Sequence, residues 1–189
     1  GNNILTYDKT LGEHHFNLLA GQEAYSYRYD VLRASRSNMA LPDFPELAVG
    51  SLVTGGTGYR VNYSLVGYFL NAQYDYQSKY FFSGSYRRDR SSRFAPETRW
   101  GNFWSVDASW RIDREDFMVA TSDWLSALTL KVSYGAQGND NLGTYYASSG
   151  LYSVVSNNGE NAFVSDRLAT PNLKWETNPN FNAGIASSL

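Results

Sequence analysis

Trp100-Gly101-Asn102-Phe103-Trp104-Ser105-Val106-Asp107-Ala108-Ser109-Trp110-Arg111-Ile112-Asp113 is the stretch that decides the fold. Its even positions carry Trp100, Trp104, Val106, Ala108, Trp110 and Ile112, interrupted only by Asn102. Its odd positions carry Gly101, Ser105, Asp107, Ser109, Arg111 and Asp113, interrupted only by Phe103. Successive side chains of an extended strand point to opposite faces. The stretch is therefore a strand with one apolar, Trp-bearing face and one small, polar and charged face. Two environments produce such a strand. In a water-soluble protein the apolar face turns inward; in an outer-membrane barrel it turns to lipid while the polar face lines the lumen.

Period two recurs outward from this strand. From Tyr63 to Lys79 the even set is Ser64, Val66, Tyr68, Leu70, Ala72, Tyr74 and Tyr76, and the odd set ends Asn71, Gln73, Asp75, Gln77. Leu128, Leu130, Val132, Tyr134 and Ala136 oppose Thr129, Lys131, Ser133, Gly135 and Gln137. Trp175, Thr177, Pro179, Phe181, Ala183 and Ile185 oppose Glu176, Asn178, Asn180, Asn182 and Gly184. Tyr80 to Arg88 alternates more weakly, and His14 to Tyr29 is extended with both faces mixed.

The connections alternate in length. Short turns are expected at Asp8 to Glu13 and Asp75 to Lys79, and a compact one at Asp113 to Ala127 with a helical turn around Ser122 to Leu128, N-capped by Ser122 or Asp123. Long loops are expected at Arg33 to Thr57, which contains Pro42, Pro45 and Gly55 to Gly58, and at Gly138 to Asn172, with a medium, highly charged one at Asp89 to Thr98. The expected fold is all-β, an antiparallel up-and-down meander of about seven strands. Barrels of the outer membrane have short turns on the periplasmic side and long loops outside. Seven strands are too few to close one, since closure takes at least about eight.

Composition narrows the function. The chain has 189 residues, 42% of them hydrophobic and 16% aromatic, with 15 Tyr. Tyr and Trp suit strands and membrane–water interfaces. A net charge of −2 gives no footprint for nucleic acid. Without cysteine there is no disulfide, zinc–thiolate site or thiol nucleophile. No apolar run approaches the roughly 18 residues of a membrane-spanning helix.

Candidate chemistry is thin. His14 and His15 are the two histidines, and as strand neighbours they point apart and share no metal. Asn139-Asp140-Asn141 lacks calcium-loop spacing and reads as an Asx turn. Gly55 to Gly58 lacks the Lys and Ser/Thr of a phosphate loop. Asp113-Arg114-Glu115-Asp116 has no nucleophile beside it in sequence and reads as a solvated turn. No catalytic, cofactor or metal residue is assigned, and no enzyme activity is expected. Arg87-Arg88-Asp89-Arg90-Ser91-Ser92-Arg93-Phe94 packs four arginines where a strand meets a loop. It reads either as ions that pair and fix the loop or as a network at the edge of a lumen.

Several phrases, in order, resemble one family. They are Tyr86-Arg87-Arg88-Asp89 through Phe94, Arg99-Trp100-Gly101-Asn102-Phe103-Trp104-Ser105-Val106, Ala108-Ser109-Trp110-Arg111-Ile112 and Glu115-Asp116-Phe117-Met118. After these come Trp124-Leu125, Leu130-Lys131-Val132-Ser133-Tyr134-Gly135, Gly138-Asn139 and Asn172-Leu173-Lys174-Trp175-Glu176-Thr177. Together they resemble the mid-barrel region of the SusC/RagA-type TonB-dependent transporters of the Bacteroidetes outer membrane. Two positions depart from the pattern: Arg90 replaces the usual Gly, and Pro179 sits where a strand should pair.

The resemblance implies a barrel of roughly 22 strands with a plug, of which residues 1–189 are one section, expected to lack the plug and the TonB box. It also implies glycan or peptide import with a SusD-like surface lipoprotein, driven by TonB through the plug. Lumen or loop positions are then Arg87, Arg88, Asp89, Arg93, Asp107, Arg111 and Lys131. Lipid-facing aromatics are Tyr68, Trp100, Trp104, Trp110 and Tyr134. The alternative is a soluble β-sandwich that binds carbohydrate through exposed aromatics. It requires the face of Trp104, Val106 and Trp110 to be covered by a second sheet.

Overall fold

The computed structural model describes every residue except Pro42, Pro45, Ser122 and Leu189. The strands are β1 (Asn2–Leu11), β2 (His14–Met39), β3 (Gly50–Tyr76), β4 (Tyr80–Ser91), β5 (Trp100–Arg111), β6 (Ala127–Asn139), β7 (Leu151–Asn157), β8 (Glu160–Arg167) and β9 (Glu176–Ser188). Seven of them form one sheet in the order β1-β2-β3-β4-β5-β6-β9, and β7 pairs with β8 in a separate hairpin. The large sheet is antiparallel at every pairing resolved below and runs from a β1 edge to a β9 edge.

Register keeps each face of one kind. Tyr74 lies opposite Phe82, which lies opposite Ala108 and then Val132 and Ala183. Two rows along, Leu70 meets Tyr86, then Trp104, Ala136 and Pro179. The other face aligns Gln73, Ser83, Asp107, Ser133 and Asn182. A slip of one residue in any strand would reverse its faces.

The aromatic face is open: Trp104 is 41% and Val106 52% exposed. No second layer covers it among the described residues, which corrects the sandwich alternative. Aromatic rings run the length of this face, with Tyr74 and Phe82 stacked at 6.3 Å and Trp104 edge-on to Tyr134 at 5.5 Å between a stacked row near each end. Tyr76, Tyr80 and Trp110 stack side by side at 6.4 and 6.3 Å between ring centroids. Tyr68 and Trp100 stack at 6.3 Å near the opposite end of the strands. Trp100 and Trp110 stand ten residues apart on β5. At about 3.3 Å per residue and a barrel tilt near 40°, the rows are about 25 Å apart along the barrel axis, the height of the apolar band in outer-membrane barrels.

Several boundaries differ from expectation. The chain divides into two units, Gly1–Tyr25 with Leu65–Leu189, and Ser26–Ser64. The second consists of the far parts of β2 and β3 and the residues 40–49 that join them. The loop expected from Arg33 to Thr57 is therefore mostly strand, and Gly55 to Gly58 lie within β3. Side chains of this unit are exposed on both faces almost throughout, so no alternation marks it. The loop expected from Gly138 to Asn172 contains the β7–β8 hairpin, closed by Asn158 and Gly159 at positive φ (52° and 89°). Asn-Gly between two apolar runs is the strongest short hairpin signal. The helical turn lies earlier than expected, in 3-10 turns at Ile112–Arg114 and Asp116–Thr121. Asp123 follows the second of them, and Ser122 falls outside the described residues. Arg90 continues β4, opposite Val66 and Trp100. Pro179 lies within β9, opposite Ala136, and not at its start.

An open sheet with two unpaired edges and an exposed apolar face associates with itself or with detergent. Residues 1–189 as an isolated piece are expected to sediment as oligomers or require detergent; a clean monomer in plain buffer would contradict the open sheet.

Candidate functional site

The polar face carries a graded set of charges and hydrogen bonds. Toward the end of β4 next to residues 92–99, Arg87 sits between two carboxylates. Its Nη2 donates to Glu23 Oε1 at 2.5 Å and to Asp89 Oδ1 at 3.1 Å, and its guanidinium lies 5.2 Å from the centre of the Phe69 ring. The array crosses β3 at Gly67, where a Cβ would come within 2.4 Å of Asp89 Oδ1. Glycine is thus required there by the charges that pass over it. Mid-strand, Ser85 and Ser105 hydrogen-bond at 2.8 Å, and Ser83 donates to Asp107 at 3.0 Å. Farther along, the His15 ring bridges Asp75 (2.8 Å) and Asp8 (3.1 Å), and Asn17 donates to Asp8. A shallow concavity lined by His15, Gln73, Asp75, Phe81, Ser83 and Asp107 lies on this face. Lys131, opposite Ser109 and Gly184, is exposed beside it.

Most of the expected residues are brought onto one face. Arg87, Asp89, Asp107, Arg111 and Lys131 share the parity of Ser105 through the register. Arg88 does not. It pairs with Tyr68 and Asn102 and sits on the aromatic side, its guanidinium 4.9 Å from the centre of the Trp100 ring. The correction follows from parity alone, since Arg88 is the even neighbour of two odd residues. A cation over an indole in this aromatic row is favourable by about 0.5–1 kcal/mol at an exposed site. Tyr68, Trp100, Trp104, Trp110 and Tyr134 all occupy the aromatic face. His14 and His15 part as expected, His14 meeting Tyr74 Oη at 2.9 Å. Asn141 N–H donates to Asn139 Oδ1 at 2.9 Å, an Asx turn.

The densest packing stands at the polar-face rim, and sequence reasoning missed it. Ser91, Phe94, Phe103 and Ala147 are buried. Trp175 packs edge-on to Phe103 at 5.1 Å and tilted on Phe94 at 5.4 Å. Phe103 in turn lies over Gly138, where a Cβ would fall 2.1 Å from its ring. Polar contacts tie three segments together. Ser91 Oγ donates to Asp140 (2.7 Å), Arg93 Nη1 to the Asp140 carbonyl (2.7 Å), Thr98 to the Leu173 carbonyl (2.7 Å) and Trp175 Nε1 to the Arg99 carbonyl (2.8 Å). Arg93 also stacks on Tyr145 at 4.8 Å. Residues 92–99, 140–148 and 173–175 thus form one base from which the β7–β8 hairpin emerges. The legible trace of this base was Phe103 standing among small polar residues, with Gly101 and Gly138 nearby.

At the other end, two carboxylates hold the turn after β5. Arg111 binds Asp113 through Nη2 (2.5 Å) and Nε (3.2 Å), and Leu128 N–H donates to Asp113 at 3.0 Å. These donors, the guanidinium foremost, lower the Asp113 pKa from 3.8 to about 2. Glu115 accepts from Tyr80 Oη (2.5 Å), Trp110 Nε1 (2.9 Å) and Lys79 Nζ (3.3 Å). These donors, Tyr80 first, hold its carboxyl below the usual range. The run Asp113 to Asp116, expected as a solvated turn, is therefore a tethered one.

A single sheet with one exposed, aromatic-rich apolar face and one polar face defines a segment of outer-membrane β-barrel wall. The family described as TonB dependent receptor-like, beta-barrel matches residues 1–187, and the chain belongs to it. It is 30% identical to TonB-dependent receptor P3 of Formosa agariphila over 99% of this chain and 19% of that protein. It is 29% identical to TonB-dependent receptor SusC of Bacteroides thetaiotaomicron over 97% of this chain and 19% of that protein. The RagAB peptide transporter structure superposes with a TM-score of 0.90 at 27% identity, covering 98% of this chain and 21% of that one. The chain thus spans about a fifth of the length of the relatives it matches. The relatives are receptors and transporters of Bacteroidetes, not enzymes, and the family's place is the outer membrane.

The Asp113 clasp gives a pH prediction. A carboxylate whose pKa is lowered on folding stabilises the fold above its unfolded value and loses that contribution as pH falls through the folded one. Asp113→Asn is expected to lower thermal stability at neutral pH. The deficit should shrink as pH falls from 3.8 to about 2, read by melting curves across that window.

Proposed function

We propose that residues 1–189 form one section of the barrel wall of a TonB-dependent importer. The complete receptor takes up oligosaccharides or peptides with a SusD-like surface lipoprotein, and TonB supplies energy through its plug. The observation that carries this reading is the segregation of side chains by parity across the sheet, within a chain that the barrel family matches from end to end. In this reading Tyr68, Trp100, Trp104, Trp110 and Tyr134 meet lipid, with Arg88 at the outer aromatic row. Arg87, Asp89, Asp107, Arg111 and Lys131 line the aqueous path. Arg93 holds the rim that faces the lipoprotein or the cargo. A peptide is the cargo named for one structural relative, which supports peptides as one of the two classes.

The hairpin offers the direct test. Its exposed Tyr152, Val154 and Phe163 stand on a base held by buried contacts, so its removal leaves the base in place. Deleting Leu151–Arg167 from the full-length receptor is expected to abolish TonB-dependent uptake of labelled oligosaccharide or peptide pools while the barrel still assembles, as judged by heat-modifiable mobility. Undiminished uptake of both pools would remove this region from cargo or lipoprotein binding.

A further inference from the structure

The turn between β5 and β6 carries three large exposed apolar side chains, Phe117 (67%), Val119 (69%) and Trp124 (60%). A connection between strands usually lies in water, where such a set is out of place. Its attachment shows where it sits. Glu115 immediately precedes the 3-10 turn Asp116–Thr121. Its carboxylate is bound by Tyr80 Oη and Trp110 Nε1, two rings stacked at 6.3 Å in one row of the aromatic face. Asp113, two residues earlier, is clasped from the β5 and β6 ends by Arg111 and the Leu128 N–H. The chain is therefore held at two points, and its apolar part begins beside the aromatic row. Trp124 N–H and Leu125 N–H both return to the Thr121 carbonyl (3.2 and 2.9 Å), which brings Trp124 close to the same turn.

We propose that this turn is an interfacial anchor: Phe117, Val119 and Trp124 insert into the periplasmic leaflet of the outer membrane, and the occupant of the patch is phospholipid. The argument for lipid over a protein partner is continuity. The patch adjoins, through Glu115, the row of Tyr76, Tyr80 and Trp110 that the barrel presents to the membrane, and it shares its end of the sheet with the two shortest connections of the large sheet, 12–13 and 77–79, which mark the periplasmic end. Aromatic and aliphatic side chains flanked by charge, here Arg114, Asp116 and Asp123, lie in the interface with their apolar side at the headgroup–acyl boundary. The inference rests on the reading of the aromatic face as lipid-facing and extends the membrane contact beyond the strands.

The test uses the full-length receptor, with any other cysteine replaced, in nanodiscs of phosphatidylethanolamine and phosphatidylglycerol. Single substitutions Phe117→Cys, Val119→Cys and Trp124→Cys each carry an environment-sensitive fluorophore. Trp104→Cys serves as the mid-face control and Ser78→Cys as the water-facing one. Lipids bearing a nitroxide near the headgroup should quench the labels at 117, 119 and 124 by at least about two-fold and more than chain-end nitroxides do, as expected for a boundary about 5–10 Å deep. The label at 104 should respond more to the chain-end probe, and the label at 78 to aqueous iodide only. Iodide quenching of the three turn labels without nitroxide quenching overturns the anchor, as does protection from both quenchers, which would mean that protein covers the patch. If the label at 104 also ignores nitroxide lipid, the lipid-facing reading falls and the anchor with it.

Discussion

Register is the constraint on which the rest of this structure depends. Each strand of the large sheet has two sides and no interior, so the identity of a face exists only because neighbouring strands agree about it. Trp104 is an aromatic-face residue because it lies opposite Tyr86 and Ala136, and Asp107 is a polar-face residue because it lies opposite Ser83 and Ser133. Cross-strand pairs hold that agreement. Stacked Tyr76, Tyr80 and Trp110 do so on one side, and the Ser85–Ser105 and Ser83–Asp107 hydrogen bonds do so on the other. Each such pair contributes a few tenths to about 1 kcal/mol, so the register is secured by their number.

The two ends of the strands solve different problems. At the rim, residues 92–99, 140–148 and 173–175 must be fixed without a hydrophobic core beneath them. Phe94, Phe103 and Trp175 build a small core of their own, and Ser91, Arg93 and Asp140 close it with hydrogen bonds. That base lies on the polar side, because Phe103 has the parity of Arg87 and Asp107. The rigid part of this connection therefore stands on the polar side of the sheet and carries the β7–β8 hairpin on it. At the opposite end the turn after β5 is fastened by Asp113 and Glu115, one to the strand ends and one to the aromatic row.

What the sequence disclosed, and what it hid, divides along physical lines. Faces are legible wherever the two sides of a strand differ in chemistry: β5, β6, β9 and the part of β3 from Tyr63 onward all alternate visibly. The ribbon of Ser26–Ser64 was illegible because both its faces are exposed, so its Gly and Ser residues read as loop. Arg88 was misplaced because a run of arginines was treated as one cluster, although neighbours on a strand cannot share a face. The β7–β8 hairpin had a signal, Asn158-Gly159, which went unweighed inside a segment rich in Gly, Ser and Asn. The rim core had almost none, since Phe94, Phe103 and Trp175 meet only through contacts far apart in the chain. Glu115 was hidden for the same reason: its partners Tyr80 and Trp110 become neighbours only once β4 and β5 pair.

The assignment of the two faces is tested most directly by placing one charge on each of two adjacent residues of β5 and measuring folding of the full-length receptor into lipid vesicles. Val106→Arg puts the charge on the aromatic face midway between the aromatic rows, where it is expected to cost about 2–4 kcal/mol. Ser105→Arg puts it on the polar face, where the cost should not exceed the roughly 1 kcal/mol at most that the lost Ser85 hydrogen bond contributes. Equal costs, or the larger cost at position 105, would contradict the account.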